Sequence, residues 1–223
     1  MAETDWGAVD AYIGEKLLSR DAALDGALEA NRAAGLPSID VSPLQGKFLH
    51  VLARIAGARR ILEIGTLGGY STLWLARALP EGGRVVTLEF LADHAEVARK
   101  NLAAAGVAEK VDLRVGAALD LLPVLQAEGE QFDFVFIDAD KENNAAYLQW
   151  ALKLARVGAT VIVDNVVRKG AIVDPADRSP TVEGTRRFFD AASAEKRWTA
   201  TALQTVGAKG WDGFAIGVVE AAR

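Results

Sequence analysis

The chain has no cysteine, which excludes disulfides, thiolate catalysis and zinc–sulfur centres. Histidine is nearly as scarce, with two residues. His50 sits in an apolar helical pattern and His94 in a surface-like one, so both read as structural or solvated. No apolar run approaches the roughly 20 residues that a membrane helix needs. The opening MAETDWGAVD is acidic, unlike a secretory signal, and this lack of targeting points to the cytoplasm. There is no long basic tract, and a net charge of −5 disfavours nucleic acid as a main partner. Internal repeats, low-complexity tracts and linkers are also missing. What remains is a 223-residue chain, 51% hydrophobic and 25% charged, enough for one α/β domain with a substantial core. We expect one domain over 1–223, with a helical cover at 1–58 and a cofactor-binding sheet core at 59–223.

Trp6, Val9, Ile13 and Leu17 recur at helical spacing, and Leu24 and Leu28 extend the pattern until Gly35 and Pro37 break it. Ser42-Pro43-Leu44-Gln45 fits a capping box with proline in the first helical position. Leu44, Phe48, Val51, Leu52 and Ile55 then form an apolar helix face that Gly57 ends. From residue 60, short apolar runs at 61–64, 85–88, 111–115, 132–137 and 160–163 alternate with helical segments at 71–79, 92–105, 118–126 and 143–154. This alternation predicts a doubly wound α/β fold around a parallel sheet. Two final strands, 199–205 and 214–219, flank a glycine-rich turn and predict an antiparallel C-terminal hairpin, making a seven-stranded, mostly parallel sheet. That outline resembles the Rossmann-like fold of the class I methyltransferases.

The first strand runs into Glu63-Ile64-Gly65-Thr66-Leu67-Gly68-Gly69-Tyr70-Ser71. In an open α/β sheet such a glycine turn forms the lip of a small-molecule site. The acid distinguishes it, since E-x-G-x-x-G-G puts a carboxylate where a phosphate cradle would avoid one. A cationic ligand such as S-adenosylmethionine welcomes it. Glu89 closes the second strand 24 residues after Gly65, where a carboxylate can accept both ribose hydroxyls of an adenosine. A nicotinamide-dependent oxidoreductase would place an acid similarly and stays open as an alternative, as does a non-catalytic binder of an adenosyl ligand. Ser71 reads as a helix N-cap that could reach the ligand. Gly116-Ala117-Ala118 offers small side chains beside an adenine ring.

Two further strand ends carry oxygen ligands: Asp138 after 132–137, and Asp164-Asn165 after 160–163. Neighbouring strand ends lie about 5 Å apart, and two carboxylates that close repel unless a cation or a proton intervenes. An Asp/Asp/Asn set suits a hard divalent ion, Mg²⁺ or else Mn²⁺ or Ca²⁺. The competing reading is that each acid caps its own following segment. Lys141, three residues after Asp138, is either a general base or a solvated lysine paired with Asp140 or Glu142. The loop from Val166 to Pro180 reads as an acceptor wall and mobile lid. Trp211 reads as an aromatic surface or a core-rim side chain.

EIGTLGGYS, TLEF, FIDADKENN, VDNVVRKG and KGWDGFAIGVV together resemble the cation-dependent O-methyltransferases of the caffeoyl-CoA type, which are related to catechol O-methyltransferase. The likeness runs from about Ile39 to the C-terminus in family order and spacing, and bacterial members look most similar. It implies a class I methyltransferase fold, S-adenosylmethionine as donor, a divalent cation, a small phenolic or catechol acceptor and a homodimer, to which an apolar N-terminal cover would contribute. By position, Asp138, Asp164 and Asn165 match the family's metal ligands, and Lys141 matches the base that deprotonates the acceptor. Val41, Glu63, Gly65, Thr66, Ser71, Glu89, Ala118 and Asp138 match cofactor-contacting positions. One departure is Asn144, where many relatives carry tyrosine. The plant enzymes' contacts to a coenzyme A thioester do not map onto this chain. A metal-independent methyltransferase acting on another nucleophile is the nearest rival.

Overall fold

The computed structural model describes residues 5–221. Residues 1–4 of the acidic opening and residues 222–223 of the expected domain lie outside the described residues. Three helices come first: α1 (Trp6–Leu17), α2 (Ala22–Ala33) and α3 (Pro43–Ile55). The apolar stripe from Trp6 to Leu28 is two helices rather than one, because Asp21 starts a new one. Its carboxylate accepts the Ala23 and Leu24 N–H groups. The first part of that stripe does not face the core, since Trp6, Val9 and Leu17 are exposed.

On α3, Ser42 accepts the Gln45 N–H and Pro43 takes the first turn, as expected. The box is not closed, however, because the Gln45 side chain points to Asp164 instead. The expected apolar face is also turned around: Gly46, Leu49 and Ala53 are buried, while Phe48, Val51 and Ile55 look outward. Gly46 explains this. A Cβ there would sit 2.3 Å from the Trp74 ring, so only the small-residue side of α3 can approach its neighbour.

Seven strands form one sheet: β1 (Arg60–Ile64), β2 (Arg84–Glu89), β3 (Val111–Val115), β4 (Phe132–Ile137), β5 (Ala155–Asp164), β6 (Trp198–Gly207) and β7 (Gly210–Val219). Their spatial order is β3-β2-β1-β4-β5-β7-β6, with β7 antiparallel to both neighbours. Between the strands run α4 (Tyr70–Ala78), α5 (Ala92–Ala104), α6 (Ala118–Ala127), α7 (Asn144–Leu154) and α8 (Pro180–Ala194). Strand residues alternate between two cores. Leu62, Ile64, Val135, Ile137 and Val163 enter one; Ile61, Phe134, Phe136 and Ile162 enter the other. Burial on both faces is why the central strands read as unbroken apolar runs.

The structure departs from the sequence pattern in three places. Helix α8 is extra: Pro180 opens it, but Glu183, Arg186 and Arg187 interrupt its buried face of Val182, Gly184, Thr185 and Phe188. Strand β5 begins at Ala155 rather than Thr160. The hairpin turn shrinks to Ala208-Lys209, because β6 and β7 pair all the way to Gly207 and Gly210. The order in which strands are added reverses between the parallel neighbours β1 and β4, the place where open α/β sheets leave a crevice at their carboxyl ends.

Candidate functional site

The crevice begins where β1 stops. Gly65 has φ 100°, and a Cβ on it would lie 2.1 Å from the Asp138 carbonyl oxygen, so the ends of β1 and β4 can touch only through glycine. Gly69, with φ 83°, is the N-cap of α4. Ser71, expected as that cap, instead lies inside the first turn, and its hydroxyl donates to Glu63 Oε1 at 2.6 Å. Thr72 and Thr87 donate to Glu63 Oε2 at 2.5 and 2.7 Å.

Glu63 is 0% exposed and is not among the residues lining the cavity. Burial pushes its carboxyl up to about 7; the three hydroxyls pull down against that, and the charge of Asp138 adds to it. The acid that set this turn apart therefore lies beneath the crevice floor. Its carboxylate oxygens are bonded to Ser71, Thr72 and Thr87, and of these four residues Ser71 is the one that lines the cavity.

The cavity above has a volume of about 740 Å³ and is lined by the ends of β1, β2, β4 and β5. Of the other expected cofactor positions, Val41, Gly65, Thr66, Ser71, Glu89, Ala118 and Asp138 all line it. At one end Glu89 accepts the Thr66 and Leu67 N–H groups on Oε2 and the Leu91 N–H on Oε1. It thus orders the glycine turn, including Leu67 at φ 49°, while facing the cavity. His94 also lines the cavity, with Nδ1 3.5 Å from Glu89 Oε1, so it is not merely a solvated helix residue. The available signal was position: it falls five residues after Glu89, in the first turn of α5. His50 stays structural, bonded to the Trp74 carbonyl at 3.2 Å.

A buried amide network joins the cover to this turn. Asn101 donates to the Gly68 carbonyl at 2.8 Å and to Asn31 Oδ1 at 2.9 Å, and Asn31 donates to Asp40 at 2.7 Å. The fit is so close that a Cβ on Gly68 would lie 1.9 Å from Asn31 Oδ1. No motif spacing revealed this network. The only hint was two asparagines inside helical segments, where they are otherwise unfavourable.

The opposite end is acidic. Ile137 and Val163 are paired across β4 and β5, so Asp138 and Asp164 leave neighbouring strands side by side. Asp164 is 4% exposed; burial and then the charge of Asp138 push its carboxyl up, with Lys141 and two hydrogen bonds opposing. Those bonds are Gln45 Nε2 to Oδ2 at 2.5 Å and its neighbour's backbone N–H (Asn165) to Oδ1 at 2.8 Å. Gln45 is a member of this site that the capping-box reading concealed.

Lys141 is buried and donates to Asp138 Oδ1 at 2.7 Å, rather than pairing with Asp140 or Glu142. Asp140 is engaged by Asn143 and by Tyr147, whose hydroxyl is pushed up by burial and by that carboxylate. Asn144 lies outside the cavity wall, fully buried, with both polar side-chain atoms unpartnered among the described residues.

Among the described residues no three His, Cys, Asp or Glu side chains cluster as a metal cage. The set is two carboxylates and the Asn165 carboxamide, all oxygen donors, with one lysine for two adjacent acids. That chemistry fits a hard divalent cation with open positions.

The segment after β5 forms the remaining wall. Asp212 of β7 accepts the Val167 and Arg168 N–H groups, each at 3.0 Å. Arg186 of α8 donates to the carbonyls of Ala171, Ile172, Asp174 and Asp177. The segment expected to be a mobile lid is thereby laced down. Trp211 packs over Gly170, behind this wall and away from the cavity lining.

Comparison with known proteins places this geometry among relatives. A family model described as O-methyltransferase matches residues 21–208. A catechol O-methyltransferase of Mycobacterium tuberculosis is 56% identical over 211 residues, covering 95% of this chain and 94% of that one. Another from Niastella koreensis is 48% identical over 214 residues, covering 96% and 97%. The crystal structure of an O-methyltransferase from Bacillus cereus in complex with SAH superposes with a TM-score of 0.95 at 56% identity, covering 96% of this chain and 98% of that one.

Proposed function

The chain belongs to the O-methyltransferase family, and from that premise we propose that it uses S-adenosylmethionine to methylate one hydroxyl of a catechol-like aromatic, with a divalent metal held by Asp138, Asp164 and Asn165. The observation that carries this reading is the pair of carboxylates on adjacent strand ends, Asp138 in the cavity lining with Lys141 and Asn165, and Asp164 buried just behind it, in the cavity that the glycine turn and Glu89 also line. Family membership sets aside the oxidoreductase alternative.

The side chains divide the work along the cavity. Glu89 accepts the donor's ribose hydroxyls, and the small residues around Ala118 leave room for the adenine. Ser71, with Glu63 fixing its hydroxyl, and Asp138 face the amino-acid portion. A divalent ion in the Asp138–Asp164–Asn165 set would supply positive charge that grips vicinal oxygens and acidifies the attacking one. Gln45 holds one Asp164 oxygen in place. Lys141 removes the acceptor proton; the resulting phenolate attacks the methyl carbon in line, opposite the sulfur. Anion and cation combine in that step, so alignment and exclusion of water dominate the rate.

The same reading holds that 1–223 acts as one catalytic domain in the cytoplasm. The outward apolar residues Phe48, Val51 and Ile55 support a homodimer. Among the described residues no helix is long and apolar enough to cross a membrane.

The test is methyl transfer to a catechol panel with added Mg²⁺, with EDTA, and in Asp164→Ala. Turnover that needs the ion and vanishes in the variant, while donor binding survives, supports the reading. Turnover indifferent to both leaves only a metal-independent methyltransferase.

A further inference from the structure

Arg168 lies three residues beyond Asn165 and lines the same cavity. Its backbone is left-handed, with φ 54°, and Lys169 and Gly170 follow at 54° and 82°. Residues with a Cβ adopt that conformation only when their surroundings impose it. Here Asp212 imposes it, because one carboxylate oxygen takes the Val167 and Arg168 N–H groups together. The result aims a guanidinium inward.

That guanidinium is poorly satisfied within the protein. Its side chain is 29% exposed, and Nε is buried with no partner among the described residues. Its ion pair with Asp212 spans 3.9 Å, beyond hydrogen-bond reach, and the other Asp212 oxygen is committed to backbone. Lys141, the neighbouring cation, is already bonded to Asp138. Among the described residues Arg168 is also the one arginine in the lining, which it shares with Asp138, Asp140 and Glu142. A neutral acceptor would leave the guanidinium with no anionic partner nearer than Asp212. A planar carboxylate matches the guanidinium fork, and its single charge is better tolerated than a phosphate dianion beside so many acids.

We propose that Arg168 forms an anion subsite in the acceptor half of the cavity, and that the acceptor is an aromatic carboxylic acid bearing the hydroxyl pair, of the dihydroxybenzoate class. This rests on the methyltransferase reading for its hydroxyl chemistry but not for the carboxylate contact. The subsite binds the ring through its carboxylate at the end remote from the reacting hydroxyls, and so acts on specificity.

The probes are 3,4-dihydroxybenzoate and its neutral methyl ester. Binding to the SAH-loaded protein is followed by calorimetry, and methyl transfer by kcat and KM. The wild type should prefer the acid at least tenfold in Kd and KM. Arg168→Met should bring that ratio to about one, with Arg168→Lys in between; a merely structural role would lower both ligands together and leave the ratio unchanged. A wild-type ratio near one, or a ratio unaltered in Arg168→Met, overturns the subsite. If Arg168→Met does not fold, the wild-type acid-to-ester ratio and Arg168→Lys decide. Acid-selective binding without methyl transfer would overturn the function and keep the subsite; equal transfer to both would do the reverse. Absence of both binding and transfer overturns the two together.

Discussion

Replacing Glu63 by glutamine isolates the energetics of a carboxyl sealed under the glycine turn. The group is 0% exposed, and burial outweighs three hydroxyl donors to lift it from 4.5 to about 7. Below pH 4.5 it is protonated in both folded and unfolded chains. Between 4.5 and about 7 the unfolded chain ionises while the folded one keeps its proton. The stability contributed by the neutral form is therefore complete at low pH and is lost as pH rises through the folded value. That interval corresponds to about 3 kcal/mol, a large share of the about 5–15 kcal/mol that holds a domain folded. The side-chain amide of Glu63→Gln cannot titrate, so the difference between wild type and variant cancels every other ionisation. Urea unfolding of both proteins, followed by circular dichroism from pH 4.5 to 8.5, should show that difference falling by about 3 kcal/mol as pH rises. Parallel stability curves would refute the account of a carboxyl held neutral by burial.

Gly65→Ala should cost at least about 3 kcal/mol by thermal unfolding, since its Cβ meets a carbonyl oxygen and its φ is left-handed; a loss below about 1 kcal/mol contradicts the close approach of β1 and β4. Asn31→Ala should cost about 1–3 kcal/mol by leaving Asn101 and Asp40 short of partners. It should also weaken SAH binding measured by calorimetry, because Gly68 loses its backing. Lys141→Met should reduce kcat by about 10²–10⁴-fold, as for loss of a general base. The loss should fall on kcat rather than on SAH affinity, and equal damage to both would point to Lys141 as a prop for Asp138 instead.

Most of the fold was legible because local pattern and global packing agree. Each central strand is buried on both sides, so Phe132–Ile137 announces itself as an apolar run and ends where the structure ends it. The acids closing β2, β4 and β5 were readable for the same reason, since a charge after such a run marks the sheet's carboxyl edge. Long-range partners were not readable. Gln45 looked like half of a local cap, yet it bonds Asp164, 119 residues away. Ser71 and Glu63 were assigned to a ligand separately, and only the turn of α4 makes them partners of each other. The outward face of α3 was misread because apolarity was counted without size. Gly46 decides which side can pack, and a glycine carries no weight in a hydrophobic pattern. Arg168 was passed over as one residue of a polar loop, because its aim depends on Asp212 in the next hairpin.

Strand β7 is made after β6 but lies inside the sheet, between β5 and β6. During synthesis, therefore, a nascent chain stopped before Gly210 has β5 as a bare sheet margin, with nothing to zip against it. It also lacks Asp212, so residues 167–168 have no clasp and Arg168 has no fixed aim. Glu89 and the glycine turn it orders belong to the first two strands made, whereas the wall that Asp212 clasps is completed only by the last. The two ends of one crevice are thus finished at opposite ends of synthesis.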